Sequence, residues 1–328
     1  MSALTGQQHQ LPEEVRHQLH RAVKLEWITL AYLVFTLTLV ASVMGNSQAM
    51  KTAWVEDLLS AVPQIAFLVA LVYTRHKRKP KHPYGYHRAM GAGHLVSGVT
   101  LACVGSLLAY ESVAGLIKGE HPTIGTIAIL GHTVWLGWLM IGAMSLIVVP
   151  AVILGRLKIK AAAPLHNKLL YADADMAKAD WTTNVASIVG VLGVGVGLWW
   201  MDYAAALLIS VGILRDGVRN TRNALLGLLD ARATTYDDKK PDPLIEEVTT
   251  TVKDLAWVSD AAARIRDMGM VFHVEVFVVP RGDEIHLDEV EEILGRVEEL
   301  DWKSYDVVVA PVRELPEHLL PESRQPAG

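Results

Sequence analysis

The chain has 328 residues, of which 51% are hydrophobic, and a formal net charge of −5. A mean hydropathy of +0.28 is too apolar for an ordinary soluble protein and too polar for one lying wholly in a membrane, so a membrane part joined to a soluble part is expected. One cysteine, Cys103, excludes a disulfide framework or a cysteine-rich metal cluster, and no basic-aromatic interleaving points to nucleic acid.

Residues 1–26 are polar and of mixed charge, without the layout of a cleavable signal peptide, and are expected to lie in the cytoplasm. Six apolar runs follow at 27–45, 48–74, 92–117, 124–154, 169–196 and 198–220, each near the ~20 residues that cross a hydrocarbon core. Basic residues gather in alternate loops. Arg16, Arg21 and Lys24 precede the first run; Arg75, Lys77, Arg78, Lys79, Lys81 and Arg88 follow the second; Arg156, Lys158 and Lys160 follow the fourth; Arg215, Arg219 and Arg222 end the sixth. Six spans with both termini in the cytoplasm satisfy all of these loops, in what is expected to be a bacterial inner membrane. Cys103, inside the third run, is expected to be a buried packing residue.

The charge balance changes after the sixth run. From Pro241 onward there are 20 acidic and 8 basic residues, against 15 acidic and 22 basic before it. The expected units are an N-terminal segment 1–26, a membrane domain 27–222, a linker 223–240, a cytoplasmic domain 241–316 and a disordered end 317–328. Within the tail, a helix over 242–254, strands near 257–266 and 270–279, a helix near 285–299 and a strand over 305–312 predict a small αββαβ, ferredoxin-like α+β domain. The expected fold class is therefore a multi-pass α-helical membrane protein with six transmembrane helices and a C-terminal α+β domain.

Acidic residues inside the apolar runs carry the chemistry. In the second run, Ala53, Glu56, Asp57, Ser60 and Gln64 recur in steps of three and four, and in the fifth so do Asp173, Met176, Ala177, Asp180, Asn184 and Ser187. Each set forms one helix face, while Asp175 and Lys178 point elsewhere. Glu56 and Asp180 lie about halfway across. Facing oxygen-rich stripes at one depth suit a divalent cation. A structural ion-pair network is the alternative, with Lys51 or Lys178 neutralising the acids. Asp57 could be a ligand, a proton carrier or a partner of a lysine, and Asp173, nearer the cytoplasmic end, could belong to an entrance.

Other histidines are weaker candidates. His82 and His87 sit in a strongly basic loop that suits anchoring at lipid headgroups; His94 is a packed histidine or a proton relay, and His121 belongs to a turn. His273 and Glu275 share one face of a strand and could form a surface metal site with Asp283 or His286. No Walker motif, G-x-S-x-G or H-E-x-x-H is present, which argues against ATP-driven pumping by this chain and intramembrane hydrolysis.

From about residue 27 to residue 313 the chain resembles the cation diffusion facilitator family of divalent-metal/proton antiporters. The carriers are Val55-Glu56-Asp57, His82-Pro83-Tyr84-Gly85-Tyr86-His87-Arg88, Ala172-Asp173 with Asp180, Asp202 and the αββαβ tail. The resemblance implies four ligands, two from each of the second and fifth spans, which fall on Glu56, Ser60, Met176 and Asp180. Ser60 and Met176 depart from the family's usual side chains, with Asp57 and Asp173 as possible compensation. It further implies a homodimer, a metal-sensing tail, and proton-driven efflux of a cation of the Zn, Mn, Fe or Co class. Metal and protons would be cargo, with no resident cofactor. A transporter-like sensor or scaffold with an altered site is the alternative.

Overall fold

A computed structural model of the chain describes residues 12–76, 78–129 and 132–319, except for the side chains of 129 and 177–181. Six long helices come first: α1 (Glu13–Val43), α2 (Gln48–Thr74), α3 (Ala89–Lys118), α4 (Leu136–Leu165), α5 (Lys168–Gly195) and α6 (Trp200–Leu228). By length and apolar composition alone, α1 to α4 qualify as membrane-crossing. Helices α5 and α6 have 28 and 29 residues, enough for ~40 Å of helix against a hydrocarbon core of ~30 Å.

Helix ends are set by local chemistry. The Ser47 side chain accepts from Met50 N at the start of α2, and Asn167 Oδ1 accepts from Leu170 N at 2.8 Å at the start of α5. His166, with φ 46°, makes the left-handed turn between α4 and α5. Helices α3 and α6 pack along much of their length. A Cβ at Gly98 would stand 2.5 Å from the backbone of Thr221, and one at Gly105 2.7 Å from that of Leu214. Glycine is what lets these two backbones approach.

Several boundaries differ from the hydropathy reading. Helix α1 runs unbroken through the polar segment ahead of residue 27, burying Val15, Leu19, Ala22, Glu26, Thr29, Leu33 and Thr36 in steps of three and four. Residues 1–11, part of the expected N-terminal segment, lie outside the described residues. The fourth run does not begin as a helix: β1 (Thr126–Ile129) and β2 (His132–Trp135) form an antiparallel hairpin, and α4 starts only at Leu136. Threonine, isoleucine and valine favour strand there, although the run is apolar throughout. At its other end α4 continues to Leu165, so Arg156, Lys158 and Lys160 are helical rather than loop residues. Cys103 is exposed, not buried; hydropathy does not distinguish an apolar outward face of a helix from a protein core.

The tail follows the expected order: α7 (Leu244–Lys253), β3 (Val258–Asp267), β4 (Phe272–Pro280), α8 (Leu287–Leu300) and β5 (Ser304–Pro311). Strand β4 is central, antiparallel to β3 and parallel to β5. Phe272, Val274, Val276 and Val278 alternate toward Val248, Val252, Ile293 and Val297, making a two-layer core. Glu317–Leu319 form a 3₁₀ turn, and residues 320–328 of the expected disordered end lie outside the described residues.

The basic loop between α2 and α3 touches this tail through Arg78 and His87. Arg78 Nε donates to Tyr305 Oη at 3.1 Å, and its guanidinium lies 4.4 Å from the centre of that ring. His87 meets the same ring edge-on at 4.6 Å. Burial, reinforced by the Arg78 charge, pushes His87 down to about 4, so it is a neutral packing group at ordinary pH.

Candidate functional site

The polar stripes of α2 and α5 meet over part of their length. On α2, Asp57, Ser60 and Gln64 line a small cavity with Thr29, Thr36, Asp173 and Asn184, enclosed by α1, α2, α4 and α5. Glu56 lies beside the Thr183 hydroxyl of α5, with Asp57 and Asp216 as its nearest like charges. Its Oε2 is buried and has no hydrogen-bond partner among the described residues. Thr183 is three residues, about one turn, beyond position 180. The side chains of Asp180 and Lys178 lie outside the described residues.

Ser60, Met176, Asp175 and Lys51 have other partners. Ser60 Oγ donates to the Asp57 carbonyl at 2.7 Å, within its own helix. Met176 packs with Val55, Leu59, Leu101 and Ile213 in an apolar cluster between α2, α3 and α6. Asp175 pairs with Arg219 at 2.7 Å. Lys51 is exposed and does not pair with Glu56; its charge lies near Asp202.

Asp173 does not stand at an open entrance. It is buried, and Lys158 Nζ lies 2.5 Å from its Oδ2 and 3.2 Å from Glu26 Oε2. A lysine therefore does neutralise a stripe carboxylate, but from α4. Sequence reading missed both Glu26 and Lys158, because each sits where hydropathy has fallen. The period of α1 was the available signal, since Glu26 continues the Val15, Leu19, Ala22 face.

Asp202 has an unanticipated structural role. Fully buried at the start of α6, it accepts from Ser47 Oγ at 2.6 Å, Gln48 N at 2.5 Å and Ala49 N at 3.3 Å. It thereby satisfies the amide groups left open at the start of α2. His94 is a packed histidine, 5% exposed, whose Nε2 has no partner among the described residues.

In the tail, His273 Nδ1 lies 2.8 Å from Asp306 Oδ2 and Nε2 3.0 Å from Glu275 Oε1. Arg264 pairs with Glu275 as well. Strand β5 supplies the third member of this cluster through Asp306, while His286 caps α8 and lies apart from it. Both ring nitrogens are engaged by protein groups, and among the described residues no set of three or more His, Cys, Asp or Glu side chains is arranged to hold an ion. Burial would raise Glu275, but Arg264 and His273 outweigh it and hold the carboxyl below its usual range. The hydrogen bond with His273 lowers Asp306. Both acids therefore stabilise the tail fully above roughly pH 4.5 and lose that contribution as pH falls through their folded values. The tail signal in thermal melts is expected to stay level from about pH 7 to 5 and drop below about pH 4. His273→Ala should move that drop to higher pH, which circular dichroism would follow.

Acidic, hydroxyl and amide groups turned inward within six membrane-crossing helices define a polytopic membrane transporter. Residues 27–229 match the model of the cation efflux transmembrane domain, and the chain belongs to the cation efflux, or cation diffusion facilitator, family. Divalent-metal transport is what membership in this family supports. The chain is 21% identical to the uncharacterised transporter YdbO of Bacillus subtilis, over 88% of this chain and 93% of that one. It is 25% identical to metal tolerance protein 7 of Oryza sativa subsp. japonica, over 83% of this chain and 66% of that protein. Magnetosome protein MamB of Magnetospirillum gryphiswaldense is 23% identical, over 61% of this chain and 64% of its own length.

Proposed function

We propose that this protein exports a divalent cation of the Zn, Mn, Fe or Co class from the cytoplasm in exchange for protons, with Glu56 and Asp180 as the principal ligands. The observation that carries this reading is Glu56: a carboxylate inside the bundle with one oxygen buried and unpartnered among the described residues, on the helix face that meets α5 beside Thr183. An unpaired carboxylate is costly at that depth, and a metal ion or a proton relieves the cost. Competition of the two for one carboxylate couples their movements. Asp57, one residue along and in the adjoining cavity, is the second acid within reach. The relatives named for metal tolerance and the magnetosome agree with a metal cargo.

The same reading places both termini in the cytoplasm of a bacterial cell, in the inner membrane, because basic residues cluster at the tail-side ends of the helices. It takes the working unit to be a homodimer joined in part through the tail. His273 and Glu275 serve the tail's ion-pair network in this reading, and a tail metal site is not needed for transport. Met176 in an apolar cluster and Ser60 bonded to its own helix favour a second reading, a transporter-like sensor that no longer moves metal.

Reconstitution decides between them. Vesicles containing an internal pH dye are loaded with wild type or Asp180→Ala and offered zinc, manganese, iron(II) or cobalt. Flux of one metal with opposing proton movement, lost in Asp180→Ala, is the expected result. Absence of flux for every metal from well-folded protein would remove the transport reading in favour of the sensor.

A further inference from the structure

We propose that Lys158 is an internal counter-cation that holds the metal path shut, its ammonium standing between Glu26 and Asp173 where a divalent cation sits on its way in from the tail side of the bundle. The inference rests on the transport reading above and names a positioning residue within it.

Lys158 and Glu26 are fully buried and the Asp173 side chain is 3% exposed, so water does not screen them. One ammonium faces two acidic side chains. Glu26 Oε1 is buried and has no partner among the described residues. A divalent cation neutralises both acids, and the spare Glu26 oxygen gives it a donor that Lys158 leaves unused.

The location suits a gate. Asp173 is five residues into α5 and position 180 twelve, so Asp173 lies roughly 10 Å nearer the tail along the helix. Asp173 also lines the cavity shared with Asp57, Ser60, Gln64 and Asn184. A cation that replaces Lys158 at Asp173 has therefore reached the cavity that adjoins Glu56. Return of the Lys158 ammonium to Glu26 and Asp173 after the cation has moved on closes the path again.

The two halves of the cluster predict opposite effects, which a merely structural clamp does not. Lys158→Met removes the built-in competitor, so KM for the cation is expected to fall about tenfold, while kcat falls about tenfold because nothing returns to displace the ion. Glu26→Gln keeps the Lys158–Asp173 pair but leaves a divalent cation only one carboxylate, so KM is expected to rise about tenfold. Flux into vesicles reads both. Movement of KM in the same direction in the two variants, or an unchanged KM in Glu26→Gln, overturns the proposal, and the second criterion decides alone should Lys158→Met fail to fold. If wild type moves no metal, the transport reading fails separately. Equilibrium binding of manganese(II) to the detergent-solubilised full chain then tests the cluster itself. One additional ion per chain in Lys158→Met, abolished by adding Asp173→Asn, supports it; equal stoichiometry and affinity in wild type and variant overturns it.

Discussion

Glu56→Ala is expected to reduce metal flux at least about 100-fold, more than the loss of a group that merely orients a ligand, without unfolding the protein. Alanine favours helix at least as well as glutamate, so α2 keeps its backbone. The substitution also removes a carboxylate that has a buried, unpartnered oxygen, and relieving such a group does not weaken a fold. Function and stability should therefore part: flux disappears while the melting temperature in detergent holds or rises. Glu56→Gln should behave similarly, because the amide keeps the shape and gives up the charge that attracts a cation. Full flux from either variant would show that the carboxylate is not a ligand.

Asp202→Ala should act the other way, costing about 3 kcal/mol of stability and reducing flux only through loss of folded protein. The carboxylate satisfies the Ser47 hydroxyl and the amides of Gln48 and Ala49, and all three would be left at a buried helix start. Asp202→Asn retains an acceptor but forfeits the charge, so its loss should be intermediate. Thermal melts of the three proteins in one detergent give the order directly. Equal melting temperatures would mean that water replaces the carboxylate without penalty.

Much of the fold was legible because hydropathy and helical period measure the same thing for most of the chain. The second run coincides with α2 over 48–74, and the tail's strands lie within a few residues of their expected places. Reading failed where polarity and burial part company. Lys158 looked like a loop residue because Arg156 and Lys160 flank it, yet α4 carries it inward while its neighbours turn out. Glu26 was assigned to a polar leader because composition changes there, although the inward stripe of α1 passes through it. No single-helix pattern could have shown that these two meet Asp173, since they come from three helices. The candidate site was legible to the extent of Glu56 and the α5 face it meets. The division of the two stripes, with Met176 in an apolar cluster and Asp173 beside a lysine, depends on how α1, α4 and α6 are arranged around them. Asp202 was visible as an acid at a helix start, but its service to a different helix was not.

Helix α2, which carries Glu56 and Asp57, is clamped at both ends. Asp202 grips its first turn from α6, and the loop that follows its last turn is held on the tail through Arg78, Tyr305 and Asp306. A rod fixed at both ends cannot slide, and what freedom it has lies in bending. Pro63, seven residues beyond Glu56 inside this helix, lacks the amide that would bond the preceding turn and so supplies the weak point of the span. The acids thus ride on the arm of a jointed beam that precedes Pro63, and the way open for changing their exposure is to flex that joint.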